Sequence, residues 1–253
     1  MSEALLQAIL EFPELDPPRL AYAAWCEEQG DEATKARGEF IRTQIAISQT
    51  SLEILNSGGA AGLQNRVKAL LDTYGNTWAA PISPFVENYT FVRGFIGLIK
   101  LSARSLIDNA AAIFALAPVQ HVDLTAVRDV SEDLFAAQQL KKLHSLSMDS
   151  CGLYDFHVRL LADSPCVIRI GWLSLANNHL DLGAAEALAE SRNLKLLRFA
   201  EFRGNPVDPC EQLGFDSGVV VYAWLPPEGE KLEERYGELP WLHRGGSFSR
   251  FDY

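Results

Sequence analysis

The sequence predicts an α/β fold in which about five short strand-and-helix repeats stack between two caps. First, an apolar pattern recurs at a nearly constant interval between residues 99 and 207. Second, stretches with helical apolar spacing separate these recurrences. Third, a helical segment of a different pattern precedes them. A single strand-plus-helix unit cannot bury its own apolar face, so we expect the units to stack and share one core.

The repeat pattern is most complete around Trp172–Leu180. It follows the form L-x-x-L-x-L-x-x-N/C-x-L, which defines a leucine-rich repeat. The N/C position recurs at residues 104, 127, 151, 178 and 205, at intervals of 23, 24, 27 and 27 residues. We therefore expect a short leucine-rich-repeat horseshoe, with repeats similar to those of ribonuclease inhibitor. The pattern positions in this stretch are filled by Ile170, Leu173, Leu175, Asn178 and Leu180.

A polar side chain at the N/C position satisfies main-chain groups where the chain turns away from the strand. Asn178 and Asn205 suit this role, and Cys151 suits it weakly. Arg104 and Val127 fit poorly, so we expect the first two repeats to be degenerate. Four intervening stretches have helical apolar spacing, as the returning segments of such repeats require: 105–116, 131–140, 154–162 and 181–191.

The N-terminal segment is expected to form three helices, because apolar residues recur at helical spacing and Pro17-Pro18 marks a helix start. A polar loop is expected over residues 49–62 and a fourth helix over 63–78. After residue 209, residues 218–225 are strand-like and 228–237 helical. With Trp241 and Leu242, we expect them to cover the open core of the last repeat.

Three runs in the N-terminal segment resemble the bacterial repeat-companion domain, a short helical module found before repeat arrays. They are Leu-Leu-Gln-Ala-Ile-Leu at 5–10, Asp-Pro-Pro-Arg-Leu-Ala-Tyr-Ala-Ala-Trp-Cys-Glu-Glu-Gln-Gly-Asp at 16–31, and Arg-Gly-Glu-Phe-Ile-Arg-Thr-Gln at 37–44. Ala24 replaces the family's usual aspartate and Cys26 its usual leucine. The resemblance implies neighbouring repeats and no enzymatic activity.

The chain is thus expected to contain four parts. They are a helical repeat-companion domain at 1–50, a helical connector at 51–93, leucine-rich repeats at 94–209, and a C-terminal cap and tail at 210–253.

Composition narrows the classes of partner. The formal net charge of −11 disfavours nucleic-acid binding, which requires a basic surface. The sequence contains no apolar run long enough to cross a membrane and no basic, apolar leader, so we expect a cytoplasmic protein without membrane contact. The four cysteines form no C-x-x-C pair, which favours free thiols in a reducing compartment.

No catalytic, cofactor-binding or metal-binding motif is present. The five histidines lack zinc-site spacing. Cys151 lies close to His144 and Asp149, but it falls on the repeat's N/C position, which favours a structural thiol. We therefore expect a protein that is not an enzyme and needs neither cofactor nor metal.

Alternation along each strand places the residues between the core leucines on the concave side of the predicted sheet. Trp172 and Phe199 fall on adjacent strands there, and such an aromatic pair among charges is typical of a protein-binding hot spot. Alternatively, the C-terminal cap covers the pair, or Trp172 fills a gap in the curvature. The predicted protein-binding residues are His121, Asp123, Asp149, Trp172, Ser174, Phe199, Glu201 and Arg203.

The sequence favours a non-enzymatic scaffold or adaptor that binds a protein through this concave face. One alternative is an inhibitor or regulatory subunit that occludes a partner enzyme, although the mixed charge of the face disfavours a basic enzyme as its target. Another is an enzyme with an unrecognised site in the N-terminal cap.

Overall fold

The computed structural model describes residues 2–216, 219–243 and 250–251. Over these residues the fold is mixed α/β, with ten α-helices, one six-stranded sheet and one two-stranded sheet. None of the described helices is long and apolar enough to span a lipid bilayer. The chain divides into an N-terminal unit (1–99 with 111–119) and a C-terminal unit (100–110 with 120–253).

The N-terminal unit is mainly helical, as predicted for residues 2–48. Pro17 and Pro18 lie in the first turn of α2, and the Asp31 side chain caps α3 by accepting a hydrogen bond from the Thr34 amide. Its helices and strands are α1 (Ser2–Glu11), α2 (Asp16–Glu27), α3 (Glu32–Ser48), α4 (Leu52–Asn56), α5 (Ala61–Ala79), β1 (Asn88–Val92) and the start of β2 (Phe95–Ser102). One cluster of its core comprises Ile9, Ala23, Ile41, Ile45 and Phe95.

Two expectations for this unit were wrong in part. The predicted loop 49–62 contains α4, whose start is capped by Ser51. The predicted helical connector ends in a strand, β1, because Asn-Tyr-Thr-Phe-Val is rich in strand-forming residues. Arg93 and Gly94 follow with φ values of +50° and +88°, the signs that a tight hairpin turn requires. Gly94 also packs so closely that a Cβ there would lie 2.5 Å from Cγ1 of Ile41.

The C-terminal unit repeats a strand followed by a helical return. The six strands of the main sheet lie in chain order, and β3 to β6 are parallel. Its strands are β3 (His121–Thr125), β4 (Ser145–Ser147), β5 (Trp172–Ser174) and β6 (Phe199–Glu201). The helices are α6 (Ala103–Leu116), which contributes to both units, α7 (Ser131–Ala136), α8 (Asp155–Asp163) and α9 (Leu182–Glu190), close to the predicted returns. Single 3₁₀ turns occur at Ser83–Phe85, Arg128–Val130, Gln138–Lys142 and Pro240–Leu242.

The interval between N/C positions predicts that equivalent residues of these four strands pair directly, and the strand register confirms this. His121, Ser145, Trp172 and Phe199 are register partners, and so are Asp123, Ser147, Ser174 and Glu201. The residues that alternate with them are buried and form the core side of the sheet. These are Val122, Leu124, Leu146, Met148, Leu173, Leu175, Ala200 and Phe202.

The same backbone turn follows each of these strands. A residue with positive φ, between +52° and +76°, stands at 126, 150, 177 and 204, immediately before Val127, Cys151, Asn178 and Asn205. Only the last of the four is a glycine. The expected turn at Arg104 is wrong, because β2 runs directly into α6. Arg104 lies on that helix and forms an exposed ion pair with Asp108.

The Asn178 side chain connects two successive turns, as expected of an asparagine at this position. Its Oδ1 accepts hydrogen bonds from the amides of Cys151 and Leu153, each 3.0 Å long. Its Nδ2 donates to the carbonyls of Met148, Leu175 and Ala176. Asn205 repeats the arrangement one turn later, accepting from the amides of Asn178 and Leu180. Cys151 makes the weaker equivalent, a thiol contact of 3.3 Å to the Leu124 carbonyl.

Beyond the repeats lie a hairpin of β7 (Gln212–Asp216) and β8 (Val219–Trp224) and helix α10 (Pro227–Tyr236). Trp241 and Leu242 are buried, and the Trp241 ring lies 6.3 Å from that of Phe202, the residue that follows β6. They cover the last strand as expected. The expected role of β8 in this cover is wrong, since its large side chains with a described environment are exposed. These are Val220, Tyr222 and Trp224. Gly218 lies outside the described residues.

We expect Asn178→Ala to lower the free energy of unfolding by about 3 kcal/mol, because it leaves several buried main-chain groups without partners. Chemical denaturation monitored by circular dichroism measures the change. Lys195→Ala, at an exposed position of the same unit, should change it by less than about 0.5 kcal/mol. Equal denaturant concentrations at the unfolding midpoint of the two variants would contradict the role assigned to Asn178.

We expect Ala126→Gly to raise the free energy of unfolding by roughly 0.5–1 kcal/mol. Ala126 is exposed with φ of +52°, a conformation that strains an L-residue and suits glycine. Ala112→Gly, at an exposed position inside α6, should have the opposite sign. A destabilised Ala126→Gly protein would show that the turn carries no such strain.

Candidate protein-binding surface

One side of the strands β3–β6 carries the residues that sequence analysis selected. We define the β3–β6 face as the first and third residues of each strand together with the residue two positions further along. These twelve residues are His121, Asp123, Thr125, Ser145, Ser147, Asp149, Trp172, Ser174, Ala176, Phe199, Glu201 and Arg203. The strand hydrogen bonds fix the backbone beneath them, so their side chains project from a regular base.

Trp172 and Phe199 are stacked on this face. Their ring centroids lie 5.3 Å apart with an interplanar angle of 6°, and both residues are partly exposed. The parallel register of β5 and β6 brings the two together, because Trp172 and Phe199 are directly paired residues. When two flat rings pack face to face, the outer surface of each ring remains available to a further group.

Three of the predicted binding residues, His121, Ser174 and Glu201, are buried, and their exposure was predicted wrongly. The Ser174 hydroxyl donates a hydrogen bond of 2.6 Å to Oδ1 of Asp149. The same oxygen accepts a hydrogen bond of 2.9 Å from the Ala176 amide. Neighbouring side chains on closely spaced strands satisfy one another here.

Glu201 and Arg203 form a local pair at the edge of the face. Arg203 donates from its main-chain amide to Oε1 of Glu201 at 2.9 Å and from Nε to Oε2 at 2.8 Å. The Glu201 side chain is only 9% exposed, whereas that of Arg203 is 73% exposed. The arrangement fixes the glutamate and presents the guanidinium to solvent.

The face also carries two residues from far along the chain, Arg250 and Phe251. The Arg250 guanidinium lies 4.7 Å above the centre of the Trp172 ring. Its Nη1 lies 2.8 Å from Oδ1 of Asp123, while Nε and Nη2 both donate to the Ser145 hydroxyl. The Phe251 ring meets His121 edge to face, with centroids 4.9 Å apart.

Neither Arg250 nor Phe251 was predicted to belong to this surface. Ser145 was expected on the same side of the sheet but was not among the predicted binding residues. One alternative expectation was that the C-terminal cap covers the aromatic pair. It is correct for Trp172, because Arg250 lies over its ring. No repeat spacing relates Arg250 to strands more than 75 residues earlier. Only a search for an arginine next to an aromatic residue outside the predicted repeats could have suggested this contact. Of the predicted tail, residues 244–249 and 252–253 lie outside the described residues.

The geometry around Cys151 is that of a structural thiol. Cys151 is buried, its Sγ contacts a main-chain carbonyl, and desolvation by burial raises its pKa. His144, its expected neighbour, is also buried, and its Nδ1 lies 2.9 Å from Nε2 of Gln120. A nucleophilic cysteine requires a lowered pKa and access to substrate, so this thiol is poorly suited to attack.

The N-terminal unit contains two guanidinium groups that are largely removed from water. Arg19 is buried, and its Nη atoms donate to the main-chain carbonyls of Pro13, Val92 and Arg93. Burial, followed by repulsion from Arg93, lowers the pKa of Arg19 to about 9. Burial also lowers the pKa of Arg37 to about 10. The Arg37 guanidinium lies within 5.7 Å of four ring centres, those of Phe40, Trp78, Phe91 and Phe95.

These contacts hold α2 and α3 to the β1–β2 hairpin, so the two arginines have a structural role.

A depression of about 630 Å³ between α3 and α5 holds other ionisable groups, but it is open to solvent. There Glu39 accepts two hydrogen bonds from Arg66, both 2.6 Å long, and the two side chains are 44% and 51% exposed. Surface pairs of this kind are common in proteins without catalysis. Among the described residues, no three histidine, cysteine or acidic side chains cluster as a metal site requires.

No protein-family model, curated protein or solved structure matches the chain.

We expect the four cysteines to be nearly unreactive in the native protein, because all four are free and buried. Labelling with a chromogenic disulfide at pH 8 should be slow, and four thiols should react at once in denaturant. One thiol that reacts rapidly at pH 6 without denaturant would show a lowered pKa and would revive the nucleophile hypothesis.

Proposed function

We propose that the chain is a non-enzymatic, cytoplasmic adaptor that binds a protein partner through the β3–β6 face. In this proposal residues 94–209 form a ribonuclease-inhibitor-like leucine-rich-repeat horseshoe. The helical segment before them is its repeat-companion domain. The four equivalent turns and the hydrogen bonds of Asn178 and Asn205 support the repeat assignment.

The observation that carries the proposal is the stacked pair Trp172 and Phe199. Aromatic residues on a rigid surface provide large contact area at little cost in conformational entropy. Strand hydrogen bonds and the Asp149 and Glu201 side-chain bonds preorganise their surroundings. A surface that is already ordered loses little freedom on binding, which favours affinity.

An inhibitor that covers a basic enzyme is the second candidate. It would need a continuous surface of unpaired carboxylates. The three carboxylates of the β3–β6 face instead have partners within the chain: Asp123 with Arg250, Asp149 with Ser174, and Glu201 with Arg203. This pairing favours an adaptor.

We expect Trp172→Ala/Phe199→Ala to abolish capture of the partner. Affinity-tagged wild type and variant are compared in lysate of the source organism, with bound proteins identified by mass spectrometry. Stacking of such a pair contributes about 1 kcal/mol. The melting temperature of the variant should therefore fall by only about 2–4 °C.

A matched control is Tyr222→Ala/Trp224→Ala, which removes another stacked pair, 5.4 Å apart and exposed, from the same unit. It should retain the partner. Identical partner lists for wild type and both variants would refute the proposed surface. A large fall in melting temperature for the Trp172/Phe199 variant would show that the pair is structural.

A further inference from the structure

The environment of Arg250 contains every group that recognises an arginine side chain. A carboxylate, an uncharged acceptor and an aromatic ring come from three adjacent strands, as Asp123, Ser145 and Trp172. The Arg250 side chain is only 15% exposed. Guanidinium is the one side-chain group that can use all three at once, through planar N–H donors and a flat stacking surface.

The neighbouring position is shaped for an aromatic side chain. Phe251 places its ring edge to face against His121, which is buried on the first of these strands. The Ser145 hydroxyl lies 3.0 Å from Nδ1 of His121, so the same serine contacts the arginine and orients the imidazole. The arginine and aromatic positions are thus coupled through Ser145.

The charge of the site favours a cation. Oδ1 of Asp123 faces Nη1 of Arg250 at 2.8 Å and is shielded from solvent there, while the Asp123 side chain as a whole is 31% exposed. A guanidinium at this position offsets the carboxylate charge, and the guanidinium of a partner can replace that of Arg250.

We propose that the β3–β6 face recognises a protein segment in which an arginine precedes an aromatic residue, and that Arg250-Phe251 occupies this site as an internal competitor. The inference rests on the proposed function and specifies the chemistry of the partner. Arg250 fills the place of the partner's arginine, and Phe251 fills that of its aromatic side chain. Because Arg250 and Phe251 belong to the same chain, they compete with the partner as an intramolecular ligand.

The test uses the full chain and a fluorescein-labelled peptide with the sequence of residues 246–251, Gly-Ser-Phe-Ser-Arg-Phe. Fluorescence anisotropy measures its binding to wild type and to the Arg250→Ala/Phe251→Ala variant, in which the internal pair is absent. We expect binding to the variant at least tenfold tighter than to wild type. Adding Asp123→Asn to the variant should remove that binding. A peptide with lysine for arginine should bind about tenfold more weakly, and one with alanine not at all.

Several results would overturn the inference. They are absence of peptide binding to the variant, equal binding of the alanine peptide, and equal binding to wild type and variant. If Arg250→Ala and Arg250→Ala/Phe251→Ala both fail to fold, the contact is structural and the inference is wrong. Concentration-dependent dimers of wild type in sedimentation velocity, lost in the double variant, would identify a second copy as the occupant instead.

The outcome is separable from that of the proposed function. If the Trp172/Phe199 variant loses its partner in lysate while the peptide fails to bind, the adaptor function stands and only the arginine–aromatic specificity fails. If the lysate experiment shows no dependence on these two residues, the surface itself is wrong.

Discussion

The C-terminal unit depends on how main-chain polar groups are satisfied where each strand turns away from the sheet. Every such turn uses a residue with positive φ, which directs amides and carbonyls away from the strand ladder. Asn178 and Asn205 satisfy these groups in their own turn and the preceding one. Because a buried unpaired amide or carbonyl costs about 1–3 kcal/mol, these asparagine side chains stabilise the spacing between successive turns.

The strand register then determines the chemistry of the exposed side. In a parallel pair without offset, residues at one strand position form a row across the sheet. That row contains His121, Ser145, Trp172 and Phe199, and two of its members form the aromatic stack. The next row contains Asp123 and Glu201, so carboxylates flank the rings. Aromatic surface and negative charge therefore lie together because of repeat geometry, without any dedicated loop.

Much of this could be predicted from sequence, because the controlling signals are local and periodic. The interval between N/C positions located the turns at Cys151, Asn178 and Asn205, and alternation aligned β3 to β6. The prediction failed at Arg104, because β2 continues directly into α6 there. It also failed at β1 and β8, because an exposed hairpin strand and a buried covering strand have similar composition.

The candidate site was predicted less completely, for a different physical reason. Trp172 and Phe199 could be placed together because repeat spacing relates them. His121 and Ser174 are engaged in side-chain bonds between neighbouring strands, and Glu201 in a local bond from the Arg203 amide. The sequence pattern does not reveal such bonds, so it could not predict that these residues are buried. The contact between Arg250 and Asp123 joins residues far apart in the chain and outside any repeat, so only the three-dimensional structure could identify it.

The cover over β6 has a consequence for the solution behaviour of the protein. β6 is the last strand of its sheet, and the carbonyl of Ala200 at its centre receives only a weak bond from the Cys210 thiol. Trp241 and Leu242 close the adjacent apolar core. A chain truncated before residue 240 would expose an unpaired strand edge together with the end of a stacked core. Two such ends can pair with each other, so the truncated protein should form dimers through β6 or aggregate.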